Sequence, residues 1–272
     1  TCLINTMSDI TETEFVPDEH EARPYSVARE VFSSVTSQLF SSQAAAFVME
    51  TITAGLSNTE NLQQLFSTLI MISELNLQYI SYINSACPKF DEGVFSPVMS
   101  IILNEEITDV MIRYAAYCAM TNLFNKLSPI IEMQMVDFIF TAFDIISSEN
   151  ENGSPILLNS SILMATTFMN NLPGKCYEEN FQRVNDLCIG LIQAYDENKE
   201  VKKLMVEMFG IFIKRSTDLL TRSGLTYQNN DFIFSAMKEE ENMGVKVELI
   251  RAFSYSINDR VFRKYLESEK TL

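Results

Sequence analysis

The sequence predicts an all-α protein in which about five to six antiparallel helix pairs stack into an α-α superhelix. Apolar residues recur with a helical period along most of the chain, and no useful stretch alternates with the period of two that strands require. The chain contains only 8 Gly and 7 Pro among 272 residues, which indicates long helices joined by few loops. The predicted helix starts also recur at a nearly constant interval.

An acidic stretch precedes the first predicted helix. Residues 1–24 read as an irregular lead-in, and their acidic side chains are Asp9, Glu12, Glu14, Asp18, Glu19 and Glu21. Such a stretch is typical of a solvated tail or linker, although it could also attract a basic partner. From Tyr25 onward the helical period begins, so we expect a single repeat domain over residues 25–272.

Four helices are predicted in the first part of this domain. They start at Tyr25, run from Ala45 to Leu56, and cover residues 59–75 and 94–103. Ser41 and Ser42 interrupt the apolar pattern between the first two helices. Pro88 and Gly93 predict a break before the fourth.

The second part is more regular. The spacing predicts helices over residues 107–126, 129–147, 155–171, 177–195, 197–216 and 229–241, and a last helix that starts near Met243. Ser128-Pro129 and Ser154-Pro155 each supply an N-cap residue followed by proline at the first helical position. Asn152-Gly153 predicts a turn directly before the second of these starts.

The repeat interval identifies the type of unit. The first helix of successive pairs is predicted to start at Asp109, Pro155, Lys199 and Gly244, which gives intervals of 46, 44 and 45 residues. Two helices and two turns fit this length. HEAT and armadillo units run to about 40–47 residues, whereas tetratricopeptide units have about 34.

Three of these helices open with similar local chemistry. A β-branched residue is followed by a base in Ile112-Arg113, Val201-Lys202 and Val245-Lys246. Asp196 and Glu240 lie five residues before the second and third of these dipeptides. The spacing predicts a row of charge pairs where successive repeats meet. Alternatively, the acids are present because carboxylates favour helix N-termini in general.

Residues 112–120 read IRYAAYCAM, and a helix start at Ser128-Pro129 follows. This resembles the V-R-Y-A-A-x-x-A unit of the importin-β (karyopherin-β) nuclear transport receptors, especially the importin subunit beta-3 branch. Residues 24–56 and 154–216 resemble the neighbouring units in the same order. Members of the family are several times longer, so the resemblance implies a segment or a reduced version of such a receptor.

The resemblance implies a function without catalysis. Receptors of this family wrap basic cargo signals on a concave surface, bind the GTP form of Ran and contact Phe-Gly nucleoporins. These proteins are therefore the partners that the resemblance implies for this chain. The implied location is the cytoplasm and the nucleus, between which such receptors shuttle.

The charge of the chain excludes several partners. Lys and Arg number 20 and Asp and Glu 36, so the net charge is −16. Such a chain repels the phosphates of nucleic acids and the anionic surface of membranes. Its apolar stretches are interrupted by acidic residues before they reach the ~18 residues of a membrane span. Basic protein segments are the partners that this charge attracts. Alternatively, the acidity only keeps the fold soluble.

Few residues are suited to catalysis or metal binding. The single histidine, His20, lies in the acidic lead-in, and the five cysteines form no C-x-x-C pair. We therefore expect no catalytic residue, no cofactor and no metal, although buried carboxylates could still support acid–base chemistry. The cysteine spacing is typical of reduced thiols in a cytosolic or nuclear protein.

Polar side chains follow the second helix of two successive pairs at steps of three and four, which places them on one face of each helix. Carboxylates bind Lys and Arg, and amides can hold an extended backbone. A plain solvated face is the alternative interpretation. The predicted partner-binding residues are Gln134, Asp137, Thr141 and Asp144 on the first helix, and Glu179, Gln182, Asp186 and Gln193 on the second.

Together these patterns predict a non-enzymatic, HEAT-repeat protein-binding segment of a nuclear transport receptor that binds basic cargo. The alternative is a HEAT-repeat scaffold or adaptor of another pathway, such as a phosphatase, vesicle-coat or chromosome complex.

Overall fold

The computed structural model describes residues 24–36, 38, 40–86, 90–125 and 137–257. Within these ranges it contains twelve α-helices and no strand, so the predicted all-α fold class is confirmed. The helices are α1 (Pro24–Thr36), α2 (Ser42–Ser57), α3 (Leu62–Ser73), α4 (Leu77–Ala86), α5 (Ser96–Leu103), α6 (Val110–Phe124), α7 (Phe138–Asn152), α8 (Pro155–Asn171), α9 (Phe181–Ala194), α10 (Lys199–Ser223), α11 (Leu225–Glu239) and α12 (Met243–Ile257). A π-helical turn (Asp91–Phe95) precedes α5, and a 3₁₀ turn (Gly174–Tyr177) precedes α9.

The predicted repeat is present in the positions of four helix starts. Helices α6, α8, α10 and α12 begin at Val110, Pro155, Lys199 and Met243, at intervals of 45, 44 and 44 residues. Each start lies within one residue of its predicted position. The period read from the sequence therefore corresponds to a structural unit of two helices and two turns.

Side-chain caps explain why three of these helices begin where they do. The Asp109 carboxylate accepts hydrogen bonds from the first-turn N–H groups of Met111 and Ile112, at 2.9 and 3.0 Å. Asn198 and Asn242 each cap the N–H three residues further on, at 3.2 and 3.1 Å. These N–H groups have no partner within the helix, so each cap stabilises the start by roughly 1 kcal/mol.

The chain divides into two compact units, Thr1–Leu127 and Ser128–Leu272. In the described part of the first unit, α3 packs along α6, and α2 packs on α3, α4, the π-helical turn and α5. The core between these helices is apolar and almost fully buried. Its members include Leu65, Leu69, Tyr79, Ile83, Val98, Ala115 and Phe124.

Two close contacts fix the register of helices in the first unit. A Cβ on Gly55 would overlap the Thr68 hydroxyl, so only glycine allows α2 to approach α3 this closely. The Asn122 amide of α6 donates to the carbonyls of Ile72 and Leu75 at 2.8 and 2.9 Å. These carbonyls lie at and beyond the C-terminus of α3, where the regular hydrogen bonds between residues i and i+4 end.

In the second unit α10 is the central helix, and it packs on α8, α9, α11 and α12, while α8 also packs on α7. Aromatic rings fill the spaces between these helices. Phe138 and Phe168 meet edge to face with ring centroids 5.0 Å apart, and Tyr177 meets Phe212 in the same way at 5.6 Å. Met205, Met208 and Phe209 complete a core from which water is excluded.

Helix α4 is absent from the sequence prediction. The expected break around Pro88 and Gly93 leaves residues 76–93 without a helix, and this is wrong for Leu77–Ala86. The segment is rich in Ile, Tyr, Asn and Ser, which are weak helix formers. Burial of Tyr79, Ile80 and Ile83 stabilises the helix instead.

Helix α10 continues past its predicted end. The sequence predicts an end at Ser216, and the helix bends there instead, because Ser216 has non-helical φ and ψ of −112° and 15°. Its hydroxyl donates to the carbonyl of Phe212 at 2.6 Å, one turn earlier, as bent helices often show. The helix then ends at Ser223, and Gly224 follows with a positive φ of 79° that closes the turn. Consequently α11 starts at Leu225, and the predicted start at 229 is wrong.

Some predictions fall on other parts of the chain. The acidic lead-in, apart from Pro24, lies outside the described residues, and so does the predicted helix start at Ser128-Pro129. The helix predicted over residues 129–147 is described from Phe138 and ends later than expected, at Asn152. The assignment of residues 25–272 to one repeat domain stays a prediction.

Candidate functional site

We call the polar residues predicted on each of the two helices a stripe. The described residues of the first stripe lie at the start and in the first half of α7. Asp137 precedes the first residue of α7, and its side chain forms no capping hydrogen bond. Asp137 and Asp144 are exposed, Thr141 is half-buried, and the steps of four and three place them on one face. Gln134 lies outside the described residues.

All four polar residues of the second stripe are exposed. Glu179 lies in the turn before α9, and Gln182, Asp186 and Gln193 lie on that helix. Three of the four line an open groove of about 590 Å³ together with Asn180, Phe181, Arg183 and Leu187. Helix α9 packs on α7, so the structure brings the two predicted stripes onto neighbouring helices.

A contact that the sequence did not predict joins these helices. The Arg183 guanidinium lies over the Phe140 ring, 3.9 Å from its centroid, which is a favourable cation–π geometry. Arg183 is exposed and lies beside the predicted acids and amides of α9. The face formed by α7 and α9 is therefore of mixed charge rather than purely acidic. No short-range pattern links residues 140 and 183, so only the packing of the helices reveals the pair.

Of the row of charge pairs predicted along successive repeats, the structure shows pairs at one boundary, between α10 and the turn before α12. Lys202 Nζ contacts Glu240 Oε2 at 2.6 Å and also forms an ion pair with Asp196. Lys199 Nζ approaches the same Glu240 oxygen at 3.3 Å. The Glu240 side chain is fully buried and that of Lys202 is 8% exposed, so this pair is internal, whereas Asp196 and Lys199 lie at its solvent-exposed edge. We call Asp196, Lys199, Lys202 and Glu240 the boundary cluster.

Hydrogen bonds keep Glu240 and Lys202 charged despite their burial. Burial alone would raise the pKa of Glu240, but hydrogen bonds from Lys202, the Asn242 N–H and Lys199 outweigh it and lower the pKa to about 2. Burial likewise opposes the charged form of Lys202, yet its bonds to Asp196 and Glu240 raise the pKa of the ammonium. The cluster joins α10 to the turn before α12, and thus one repeat to the next.

The buried Cys188 thiol and Tyr177 hydroxyl are not suited to nucleophilic chemistry. Burial raises the pKa of the Cys188 thiol and that of the Tyr177 hydroxyl, which donates to the Met169 carbonyl at 2.9 Å. Both groups are therefore held in their neutral forms at neutral pH. In the described part of the chain, no three His, Cys, Asp or Glu residues are grouped so that they could hold a metal ion. No helix among the described residues is long and apolar enough to cross a membrane.

Comparisons with known proteins agree with this architecture at the level of the fold. No family model matches the chain, and a search of the curated proteins found no match. Among solved structures, the chain is similar to the karyopherin Kap121p bound to Nup53p, with 13% identity and a TM-score of 0.74. That similarity covers 98% of this chain and 26% of the karyopherin, so the chain spans about a quarter of the length of that protein.

Two further structures complete the comparison. Kap121p bound to Pho4p gives 13% identity and a TM-score of 0.73, with the same coverage. A designed armadillo repeat protein in complex with the peptide (KR)4 gives 11% identity and a TM-score of 0.56, over 94% of this chain and 98% of that one. The fold is thus an α-α repeat of the HEAT or armadillo type, as predicted.

Proposed function

We propose that this chain is a non-enzymatic, HEAT-repeat protein-binding segment of a nuclear transport receptor related to importin-β, and that it binds basic segments of cargo proteins. The proposal rests on the similarity of 98% of the chain to one quarter of a karyopherin whose structures include bound proteins. The resemblance of residues 112–120 to a unit of that family supports it independently of the coordinates.

The charges on α7 and α9 support a basic ligand. Asp137, Asp144, Glu179 and Asp186 are exposed and lie on, or directly before, two packed helices of a chain with a net charge of −16. Carboxylates at such positions form charge-assisted hydrogen bonds with Lys and Arg, and the net charge accelerates encounter with a basic segment. The designed armadillo neighbour holds a peptide of alternating Lys and Arg, which provides a suitable probe.

Arg183 makes the proposed surface sensitive to the spacing of the basic residues in a ligand. Its guanidinium repels a cation placed directly over Phe140, and the amides of Gln182 and Gln193 can instead bind backbone groups of an extended peptide. A continuous basic run such as (KR)4 is therefore attracted by the carboxylates but is partly repelled at Arg183, which a ligand with spaced basic residues avoids. We expect an Arg183→Gln variant to bind a continuous basic peptide more tightly than the parent chain does.

The decisive test is charge reversal on the two helices. The variant D137K/D144K/D186K is compared with the parent chain for binding a labelled (KR)4 peptide by fluorescence anisotropy at low salt. Because three attractive contacts become repulsive, we expect affinity to fall by about tenfold or more. The matched control E60K/E105K/E106K changes the net charge by the same amount at exposed loop positions of the first unit.

The control separates local contacts from net charge. If the surface binds the peptide, the control loses at most about threefold, an effect of long-range charge alone. Equal losses in both variants, with unchanged circular dichroism, would remove the assignment of α7 and α9 as the binding surface. Failure of the parent chain to bind any basic peptide would remove the proposed function.

Transport partners distinguish a receptor segment from another scaffold. The resemblance extends the proposal to Ran in its GTP form, to Phe-Gly nucleoporins and to shuttling between the cytoplasm and the nucleus. A pull-down with GTP-loaded Ran and with Phe-Gly repeats tests this part, with GDP-loaded Ran and Ser-Gly repeats as controls. Binding of basic peptides without binding of either transport partner would favour the HEAT scaffold of another pathway.

A further inference from the structure

A second cavity in the second unit has the opposite character to the acidic surface. It has a volume of about 380 Å³ and lies between the 3₁₀ turn before α9 and the bend of α10. Four cationic side chains and two carboxylates line it. These are Lys175, Lys214, Arg215 and Arg222, and Glu178 and Asp218.

The backbone around this cavity is held in place. A Cβ on Gly174 would overlap the carbonyl oxygen of Arg215, so the turn rests directly on the backbone of α10. At the bend, the hydroxyls of Ser216 and Thr217 donate to carbonyls one turn earlier, at 2.6 and 2.7 Å. The bend and the turn therefore form a preorganised wall.

The cations of this cavity are poorly compensated. Among the described residues, none of the four forms an ion pair, although Lys214 Nζ lies 5.5 Å from the centroid of the Tyr255 ring. The Nε of Arg215 is buried and has no hydrogen-bond partner. Lys175, Lys214 and Arg222 are exposed and Arg215 is half-buried, so their charges are accessible to an anion that enters the cavity. Four cations against two carboxylates leave an excess of two positive charges.

We propose that this cavity binds a phosphate monoester dianion. Such a group has a charge of about −1.5 to −2 at neutral pH, which matches the local excess, whereas a single carboxylate would leave part of it uncompensated. A guanidinium also presents parallel N–H donors that fit two phosphate oxygens. The volume leaves room for the atoms that bear the phosphate, either a phosphorylated Ser or Thr side chain or a small phosphorylated molecule.

The site differs from the acidic surface in position and in chemistry. Glu178 and Glu179 are neighbours in sequence but line the two different cavities. The turn before α9 therefore separates a surface for basic groups from a cavity for an anion. The phosphate site does not depend on the proposed transport function.

Binding of one phosphate group to the full 272-residue chain tests the site. A labelled peptide of five residues, uncharged except for one phosphoserine, is titrated by anisotropy, and its unphosphorylated form is titrated in parallel. We expect the phosphorylated form to bind about tenfold or more tightly. In the variant K175Q/R222Q, which changes two exposed side chains, that preference falls by about tenfold. The control K203Q/K238Q removes the same charge at one residue of α10 and one of α11 that do not line the cavity. We expect it to change the preference for the phosphorylated peptide by less than twofold.

Competition with inorganic phosphate at constant ionic strength identifies the source of the ligand. If inorganic phosphate displaces the peptide with an affinity similar to that of the peptide, the ligand of the site is a small free phosphate compound. Much weaker competition indicates a phosphorylated side chain, and both results support the site. Equal binding of the two peptide forms would overturn the proposal, and so would equal losses in K175Q/R222Q and the control while circular dichroism stays unchanged.

Discussion

At the scale of single residues, the boundary cluster shows how a buried charge becomes a stabilising contact. Glu240 accepts hydrogen bonds from Lys202 and Lys199 and from the backbone N–H groups of Glu241 and Asn242, at 2.6 to 3.3 Å. Without these donors the carboxylate would lose its hydration and gain nothing in return. Glu240 therefore stabilises the repeat boundary only while Lys202 and the other donors compensate its charge.

Removal of the central cation tests this interdependence. Lys202→Met leaves the Glu240 carboxylate buried with weaker compensation from Lys199, so we expect the free energy of unfolding to fall by about 3 kcal/mol. Lys203→Met is the matched control, since Lys203 is the next residue on α10 and is half-exposed. Its effect should stay within about 0.5 kcal/mol in urea denaturation. A similar loss in both variants would show that the cluster is not the source of the stability.

The same cluster predicts a pH dependence. The folded-state pKa of Glu240, about 2, lies below its ordinary value of 4.5, so its contribution to stability is complete above about pH 5 and is lost as the pH falls toward 2. The lowered pKa of Asp196 acts in the same direction. Urea denaturation of the parent chain and of Glu240→Gln should therefore give curves that differ by about 3 kcal/mol at pH 7 and converge toward pH 2. A difference that stays constant with pH would contradict the assignment.

Sequence patterns locate some of these residues and miss others. Asp196, Lys202 and Glu240 stand at fixed positions relative to their helix starts, so the repeat itself identifies them. Arg183 and Phe140 meet because α9 packs on α7, and no local spacing encodes that contact. Residue pairs set by the repeat are thus predictable, whereas pairs set by side-chain packing between helices are not.

At the scale of helices, local signals and tertiary packing determine different parts of the fold. The caps and the proline at the first position locate the starts of α6, α8 and α10, because these signals act within one turn. Helix α4 depends on burial of its apolar side against other helices, so no local signal marks it clearly. The bend at Ser216 is predicted as a helix end because the local sequence does not reveal packing. Contacts with neighbouring helices on both sides of Ser216 continue the helix through the bend.

Close packing between α2 and α3 gives a prediction for a single methyl group. Gly55→Ala would place a Cβ in overlap with Thr68 Oγ1, and we expect it to lower the free energy of unfolding by about 2–3 kcal/mol. Gly190 lies at an exposed position of α9, and a Cβ there would meet nothing within 4 Å. We expect Gly190→Ala to raise the free energy of unfolding by about 0.5–1 kcal/mol, because alanine favours the helix. Thermal or urea denaturation measures both. Opposite signs support the contact, while stabilisation by Gly55→Ala would refute it.

At the scale of the whole molecule, charge and repeat architecture together define what the chain can bind. The net charge of −16 favours basic partners, while the cavity beside the bend of α10 is a local exception to it. A repeat fold offers its partners exposed helix faces that are fixed by the packing of neighbouring units. The two proposals thus place surfaces of opposite charge preference on one scaffold.

Salt dependence distinguishes these contacts from apolar ones. If exposed carboxylates bind a basic peptide, raising the salt concentration from about 50 to about 500 mM should weaken the affinity by about tenfold or more, because screening shortens to about 4 Å. Anisotropy titrations of (KR)4 at several NaCl concentrations measure the effect. Affinity that does not change with salt would indicate that apolar contacts, rather than the acidic stripes, hold the peptide.

Hydrogen–deuterium exchange with and without a basic peptide tests the proposed binding surface most directly, because it maps contacts along the whole chain in one experiment. With saturating (KR)4 peptide, we expect slower amide exchange in segments that cover α7 (Phe138–Asn152) and the turn and helix from Glu178 to Ala194, and no change in α3 (Leu62–Ser73). Protection confined to other helices, or no protection at concentrations where the peptide is bound, would contradict the assignment of these two helices as the partner-binding surface.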